Sequence, residues 1–250
     1  MKNQDRWTPS KFVYKNGRLI ASRDPKEVGI ASRLITDLVA GFYDTYIKKY
    51  VRGYLIDLGC GKVPLYEVYK DYITNNTCVD WANTLHKNEY LDFECDLTGN
   101  LPFDDGEFDT VVLSDVLEHI PEPEHLWKEM SRILAKGGRI LMNVPFYYGL
   151  HESPYDYYRY TEYSLRRFAE SEGFKILLLK PIGGTPEILA DILAKHLLQC
   201  VPILGTPLSI GIQYFTYAFV RTKLGGKISE RTAKVFPLGY VLIAEKEKQE

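Results

Sequence analysis

Four short apolar runs in this chain each end in an acid. Asp57 opens the loop Asp57-Leu58-Gly59-Cys60-Gly61 after YLI, and Asp80 closes TCVD 19 residues beyond Gly61. Asp96, followed by Leu97, ends YLDFEC, and Ser114-Asp115 ends FDTVVL. Glycines at the close of such a run let backbone approach a ligand and tolerate positive φ. The loop amides and a following helix N-terminus favour electron-rich groups. A carboxylate at Asp80 can accept from both hydroxyls of a ribose. An acid followed by an apolar residue, as at Asp96-Leu97, can hold an adenine edge. One acid alone reads as a surface or cap residue. Four at strand ends, in the crevice where open α/β sheets bind ligands, read as a nucleoside site.

A second cluster lies in PFYYGLHESPYDYYRYTEYSLRRF, residues 145–168, which holds His151, Asp156, Arg159 and seven tyrosines. His151 is the first candidate for a general base, because imidazole exchanges protons near neutral pH. Asp156 and Arg159 would orient an acceptor or pair with each other to fix the loop. Tyr155, Tyr158 and Tyr160, with Arg159, are the expected acceptor-binding set, suited to a sugar or quinone ring. About half of the seven tyrosines should pack the loop onto the core. In LEHI (117–120), Glu118 reads as helix capping or packing and His119 as a second catalytic candidate. Cys60, Cys78, Cys95 and Cys200 show no CxxC spacing and have little histidine nearby, so no metal site is expected.

The elements that must carry these groups follow from periodicity. Ile30, Leu34, Leu38 and Phe42 recur every four residues and imply an amphipathic helix over 26–50. Apolar strands at 54–59, 77–81, 108–115 and 138–146 alternate with helical stretches, the pattern of parallel βαβ units. The helix beginning at PEPEH should stop at Gly137-Gly138. A helix at 164–173 and strands at 174–181 and 238–246 complete a doubly wound α/β sheet. Residues 1–25 read as an irregular arm with an Asn16-Gly17 turn, and 26–182 with 237–250 as the sheet domain. Residues 183–236 read as a helical insertion, serving as lid, dimer contact or membrane contact.

Inside the insertion, Leu197 to Val220 is 24 residues without a formal charge. Pro202, Gly205, Pro207 and Gly211 interrupt it, which argues against a span through lipid. Flanking Lys195, Arg221, Lys223 and Lys227 suit a segment lying on an anionic surface. The chain of 250 residues has 31 Lys+Arg against 33 Asp+Glu, so nothing electrostatic favours nucleic acid. The N-terminal MKNQDRWTPSK lacks the apolar core of a signal peptide, and the expected compartment is the cytosol.

The stretches LIDLGCG, CVDW, CDLTGNLPFDDGEFDTVVLSDVLEHI and LAKGGRILMNVPF resemble class I S-adenosylmethionine-dependent methyltransferases, in particular the ubiquinone and menaquinone methyltransferase-like group. The resemblance covers roughly residues 30–182 and the closing strand. It implies a Rossmann-like seven-stranded sheet with an antiparallel last strand, and S-adenosylmethionine as cofactor. By the same resemblance Gly59, Cys60 and Gly61 line the methionine portion, with Asp57 near its amino group. Asp80 binds the ribose, Asp96 and Leu97 the adenine, Trp81 flanks it, and Ser114 approaches the methionine end. Val63-Pro64 replaces the third glycine that a dinucleotide pyrophosphate needs. That departure favours methyl transfer over the runner-up, an NAD(P) oxidoreductase. A cofactor-binding module without turnover is a further reading that the binding residues do not separate from an enzyme. PYDYYRYT resembles enzymes of glycan synthesis. The expected substrate is therefore a small or lipid-linked acceptor, O-methylated on a polysaccharide sugar.

Overall fold

The computed structural model describes residues 1–82 and 89–247, so the last three residues of the expected 237–250 segment lie outside the described residues. Residues 1–25 hold a 3-10 turn (Gln4–Arg6) and then a hairpin, in place of the expected irregular arm. Strands β1 (Phe12–Lys15) and β2 (Arg18–Ala21) pair antiparallel around Asn16 and Gly17, both at positive φ. Asn-Gly supplies the turn whose twist matches the flanking strands.

Helix α1 (Arg33–Tyr50) begins later than its apolar period suggests, after a 3-10 turn at Ile30–Ser32. Its buried face is Leu34, Val39, Phe42, Tyr43 and Ile47 rather than the row through Leu38. Strand β3 (Gly53–Leu58) leads through the glycine loop to a single helical turn, α2 (Tyr66–Tyr69), and then to β4 (Ile73–Asp80). The expected strand at YLDFECDL shrinks to β5 (Phe93–Glu94), and β6 (Phe108–Ser114) follows.

Helix α3 (Pro123–Ile133) starts with proline at its first turn and ends four residues before the expected glycine stop. Leu134 already pairs with Phe108, and Gly138 packs so closely that a Cβ there would stand 2.8 Å from the Ala135 carbonyl. Residues 134–138 are thus the bulged start of β7 (Leu134–Pro145). Helix α4 (Glu162–Ser171) is capped by Thr161, whose side chain accepts from the Ser164 amide, and β8 (Phe174–Ile182) follows. Helices α5 (Thr185–Cys200), α6 (Gly205–Val220) and α7 (Lys223–Ala233) precede β9 (Gly239–Lys246).

The seven-stranded sheet has the order β5-β4-β3-β6-β7-β9-β8, with β9 antiparallel to both neighbours and the other ladders parallel. One face is covered by the cluster around Trp127 and Met130 of α3, the other by Tyr43 and Ile47 of α1. Both faces are buried, which is why the central strands read as unbroken apolar runs.

The 24-residue uncharged stretch is divided between α5 and α6 by residues 201–204. Among the described residues no helix is long and apolar enough to cross a membrane. The three helices are tied back by polar groups that an apolar stretch would not advertise. The buried Gln213 carboxamide accepts from the Leu34 amide at 3.0 Å and donates to the Ile30 carbonyl at 2.7 Å. Glu187, also buried, accepts from the Gly184 amide and the Ser229 hydroxyl. Replacing Gln213 by Ala leaves the Leu34 amide of α1 and the Ile30 carbonyl of the preceding 3-10 turn without their partner. It should cost about 1–3 kcal/mol, read as a lower urea midpoint at unchanged slope.

Candidate functional site

The parallel strands β3, β4 and β6 deliver their carboxyl ends to one edge of the sheet, where a cleft of about 430 Å³ opens. Gly59, Cys60 and Gly61 line it from the first loop, and Asp80 and Trp81 from the end of β4. Asp96 and Leu97 line it from two residues beyond β5, and Ser114 from the end of β6. Gly59 sits at φ +69°, and a Cβ there would lie 2.5 Å from Val116 Cγ2, so the loop closes only around a glycine. The Asp80 carboxylate accepts from the Gly61 amide at 2.9 Å and from the Trp81 amide at 2.8 Å. It therefore holds the glycine loop and the end of β4 in one piece.

Asp57 is not in the cleft wall. It lies beneath the loop, 3.4 Å from the Tyr69 hydroxyl. Burial pushes its carboxyl up to about 7, Tyr69 pulls it down, and Asp80 adds to the rise.

The glycine loop feeds a helix of one turn, and buried Val63, at φ +50°, occupies the place of a third glycine. A single turn has too few aligned amides to make the anion site that the sequence suggested. A pyrophosphate therefore finds neither close backbone nor a helix end, whereas a sulfonium nucleoside needs neither. Ribose acceptors at Asp80, an apolar and acidic adenine end at Leu97 and Asp96, and the Gly59 cradle fit S-adenosylmethionine.

The N-terminal hairpin contributes residues that sequence reasoning missed. Ser10 and Lys11 line the cleft, and Lys11 pairs with Asp115 at 2.7 Å. Asp115, at φ +53°, accepts from the Asn143 amide, and Asn143 in turn accepts from Ser114 and Tyr43 at 2.8 Å each. Glu27 meets Lys62 at 2.8 Å on the other side of the loop. Only their common position would have marked them, and that is a property of the hairpin's path.

The same cleft is lined by His119, Glu152, Tyr155 and Tyr157. Tyr155 packs edge-on against Trp81, with centroids 4.9 Å apart, so the loop after β7 and the end of β4 share a wall. His151 lies behind His119, centroids 4.8 Å apart. LEHI forms a 3-10 turn (Leu117–His119), not the start of a helix, and Glu118 caps nothing. Its carboxylate is fully buried, both oxygens lack a hydrogen-bond partner, and Oε1 is 3.7 Å from His151 Nε2 and 3.9 Å from His119 Nε2. Burial raises the Glu118 carboxyl, partly opposed by the two histidines. For His151, burial works downward, but Glu118 and Asp156 outweigh it and raise the imidazole.

Asp156 and Arg159 form a two-point ion pair, with contacts of 2.5 and 2.7 Å. Asp156 also accepts from the His151 amide at 2.9 Å, and Arg159 reaches the Tyr148 and Gly149 carbonyls. Although burial works upward on the Asp156 carboxyl, Arg159 and the amide hold it near about 2. Both residues shape the loop and position His151, and neither is among the residues lining the cleft. Tyr160 is likewise corrected: it is 4% exposed, and its hydroxyl donates to the Leu117 carbonyl at 3.0 Å. Tyr158 is exposed and does not itself line the cleft; its hydroxyl donates to the carbonyl of Pro121, a cleft-lining residue, at 2.9 Å. Of the seven tyrosines only Tyr160 is buried and Tyr148 half-buried, fewer than expected, because Tyr147, Tyr155, Tyr157, Tyr158 and Tyr163 face outward.

Residues 56–142 match the methyltransferase domain family. The chain carries a class I S-adenosylmethionine-dependent methyltransferase domain. An uncharacterized methyltransferase of Mycobacterium sp. strain KMS is 30% identical over 79 residues, 30% of this chain and 31% of that protein. The chain thus spans about a third of the length of the curated relatives it matches. The methyltransferase fold extends further. The [4+2]-cyclase SpnF superposes with TM-score 0.55 at 18% identity, over 96% of this chain and 87% of that one. A Haemonchus contortus phosphoethanolamine N-methyltransferase, in complex with phosphomonomethylethanolamine and S-adenosylhomocysteine, gives 0.52 at 15% identity, over 91% and 59%. S-Adenosylmethionine is the cofactor of this family.

The Asp57 carboxyl ties this methyltransferase domain's stability to pH. The fold holds a proton that the unfolded chain releases above about pH 4. This contribution is complete below that pH and is lost as pH rises to about 7. Between pH 5 and 8 the cofactor-free protein should lose about 2–3 kcal/mol more than Asp57→Asn, measured by urea unfolding at both pH values.

Proposed function

We propose that the protein transfers a methyl group from S-adenosylmethionine to an oxygen of a small or lipid-linked acceptor, a sugar hydroxyl being the class that suits the site. The observation that carries this reading is the continuity of the cleft. Asp80 and Asp96, suited to a nucleoside, line it together with His119, Glu152, Tyr155 and Tyr157. Exposed tyrosine faces stack on sugar rings while their hydroxyls meet polar groups. Methyl transfer from a sulfonium is in-line, so the chain's main contribution is to hold donor and acceptor in line. Bound S-adenosylmethionine supplies the electrophilic methyl.

In this reading Gly59, Cys60, Gly61 and Ser114 hold the methionine end, and Asp80, Trp81, Asp96 and Leu97 the nucleoside. Asp57 acts from beneath the loop, through its shape and charge. Tyr155, with Tyr157, receives the acceptor. His151 and His119 serve its activation, Asp156 holding His151 in place through Arg159. The methyl-group test is direct: incubation with labelled S-adenosylmethionine and sugar acceptors should release S-adenosylhomocysteine and label an ether oxygen. His151→Ala should lower turnover by about 100-fold or more, with S-adenosylhomocysteine affinity in calorimetry nearly unchanged. Full turnover in that variant would remove His151 from the reaction.

A second reading, cofactor binding without methyl transfer, is favoured by one observation, that a protein of the same fold is a [4+2]-cyclase. S-Adenosylhomocysteine release separates the two.

The lipid-linked form of the acceptor is supported by the outer face of the insertion. Leu204, Leu208, Tyr214 and Phe215 are exposed there, and Arg221, Lys223 and Lys227 follow. That pairing of apolar and cationic groups suits the anionic cytoplasmic face of a membrane. The protein should float with phosphatidylglycerol vesicles and lose that binding in Leu208→Asp/Phe215→Asp. Retained flotation in this variant, or burial of the face in a stable homodimer on sedimentation, would overturn the membrane reading.

A further inference from the structure

Glu118, His119 and His151 come from a 3-10 turn after β6 and from the loop after β7, 32 residues apart in sequence. Their potential ligand atoms nevertheless lie within 4.8 Å of one another. The hydrogen bonds around them fix which atoms are free. His119 Nδ1 faces the Tyr155 carbonyl at 3.0 Å. His151 Nδ1 faces the Gly149 carbonyl at 3.3 Å and Asp156 Oδ2 at 3.3 Å. Acceptors at both Nδ1 positions place the ring protons there and leave both Nε2 lone pairs turned toward Glu118.

Three groups that can each present a lone pair to a metal ion then converge. Glu118 presents two buried oxygens without a hydrogen-bond partner, and His119 Nε2 is buried in the same condition. A carboxylate taken fully out of water costs several kcal/mol unless a positive group answers it. Among the described residues the two imidazoles are the only basic groups within 4.0 Å of the Glu118 carboxylate, and a metal ion would take the place of the proton that Glu118 and Asp156 favour on His151. Arg159 is already committed to Asp156, and Lys11 to Asp115.

We propose that Glu118, His119 and His151 form a binding site for one divalent transition-metal ion of the zinc type, open toward the acceptor end of the cleft. Two imidazoles and a carboxylate are the ligand set of many catalytic zinc sites. Imidazole nitrogens select such ions over Mg²⁺ or Ca²⁺. Bonds of about 2.0–2.1 Å in tetrahedral array set ligand atoms about 3.3–3.5 Å apart. The observed 3.7 and 3.9 Å to Glu118 Oε1 are a few tenths longer, and the two imidazoles, with ligand atoms within 4.8 Å of each other, must draw together on binding. The carbonyls and Asp156 behind the rings are the outer partners that orient metal-bound histidines. Glu152 Oε2, 4.0 Å from His119 Nε2, stands beside the open position. An acceptor oxygen entering from the cleft would meet the ion there, in line with the proposed methyl transfer.

This inference rests on that reading only for the ion's use, and its test needs no methyl acceptor. The full chain is stripped with a chelator, dialysed, and titrated with Zn²⁺ by calorimetry and with Co²⁺ by absorption. The background variant His196→Ala/Cys200→Ser removes a solvent-exposed Cys–His pair 3.7 Å apart that could bind zinc by itself. One ion per chain is expected in that background, with a rise in melting temperature and the intense visible bands of four-coordinate Co²⁺. Glu118→Gln and His119→Ala should each weaken binding by more than about 100-fold, beyond what loss of an outer partner costs. His119→Ala is the safer of the two for folding, and S-adenosylhomocysteine affinity reports that the fold is intact. No binding by the stripped background protein, or affinity unaltered in both folded variants, overturns the proposal. Zinc binding without any methyl transfer would count against the proposed function and leave this site standing.

Discussion

Parallel pairing of β3 with β4 and β6 is the constraint on which everything at the site depends. Register along these ladders sets Asp57 opposite Cys78, and Asp80 and Ser114 at the last rungs of their strands. Chain polarity then sends every following loop over the same edge. Asp80 converts that arrangement into a fixed wall, because its carboxylate accepts amides from two different strand ends. Hydrogen bonds to a charged acceptor are roughly twice as strong as neutral ones. The cradle is therefore formed by the protein before any ligand enters.

The cost of that preorganisation falls on buried acids. Asp57 sits beneath the glycine loop with one hydroxyl neighbour, and Glu118 sits beneath the acceptor loop with none. Each is a local instability that packing elsewhere must offset. Trp127, Tyr43 and Tyr69, all fully buried, provide the apolar contacts on both sheet faces that do so. Both lie beneath loops that shape the cleft, so the packing of those loops is what keeps each carboxyl from water.

The sheet was legible from sequence because its strands are short apolar runs buried on both faces, and glycines and acids punctuate their carboxyl ends. The cofactor residues were legible for the same reason, apart from Asp57, whose place at a strand end did not reveal that its side chain turns inward. What could not be read was anything decided between distant segments. The hairpin at 12–21 looked irregular because four-residue strands carry almost no period. Lys11 reaches the cleft through the path of that hairpin. Tyr160 and Tyr158 look equivalent in PYDYYRYT, yet one hydroxyl caps a buried carbonyl and the other a surface one. Only the tertiary position of the 3-10 turn separates them.

The same turn explains why LEHI misled. Read as the first turn of a helix, Glu118 is a favourable partner for unsatisfied amides. Helix α3 instead starts at Pro123, and Ile120 and Pro121 lift the Leu117–His119 turn away from it. The backbone amides of Tyr157 and Tyr158 bond to the Glu118 carbonyl at 2.9 and 3.3 Å, so the acceptor loop is stitched down directly over its side chain. That stitching brings His151 to the carboxylate and shuts water out. Loop closure and the gathering of two imidazoles around an unanswered charge are therefore one event. A group that supplies positive charge there would stabilise the loop and the acceptor end together.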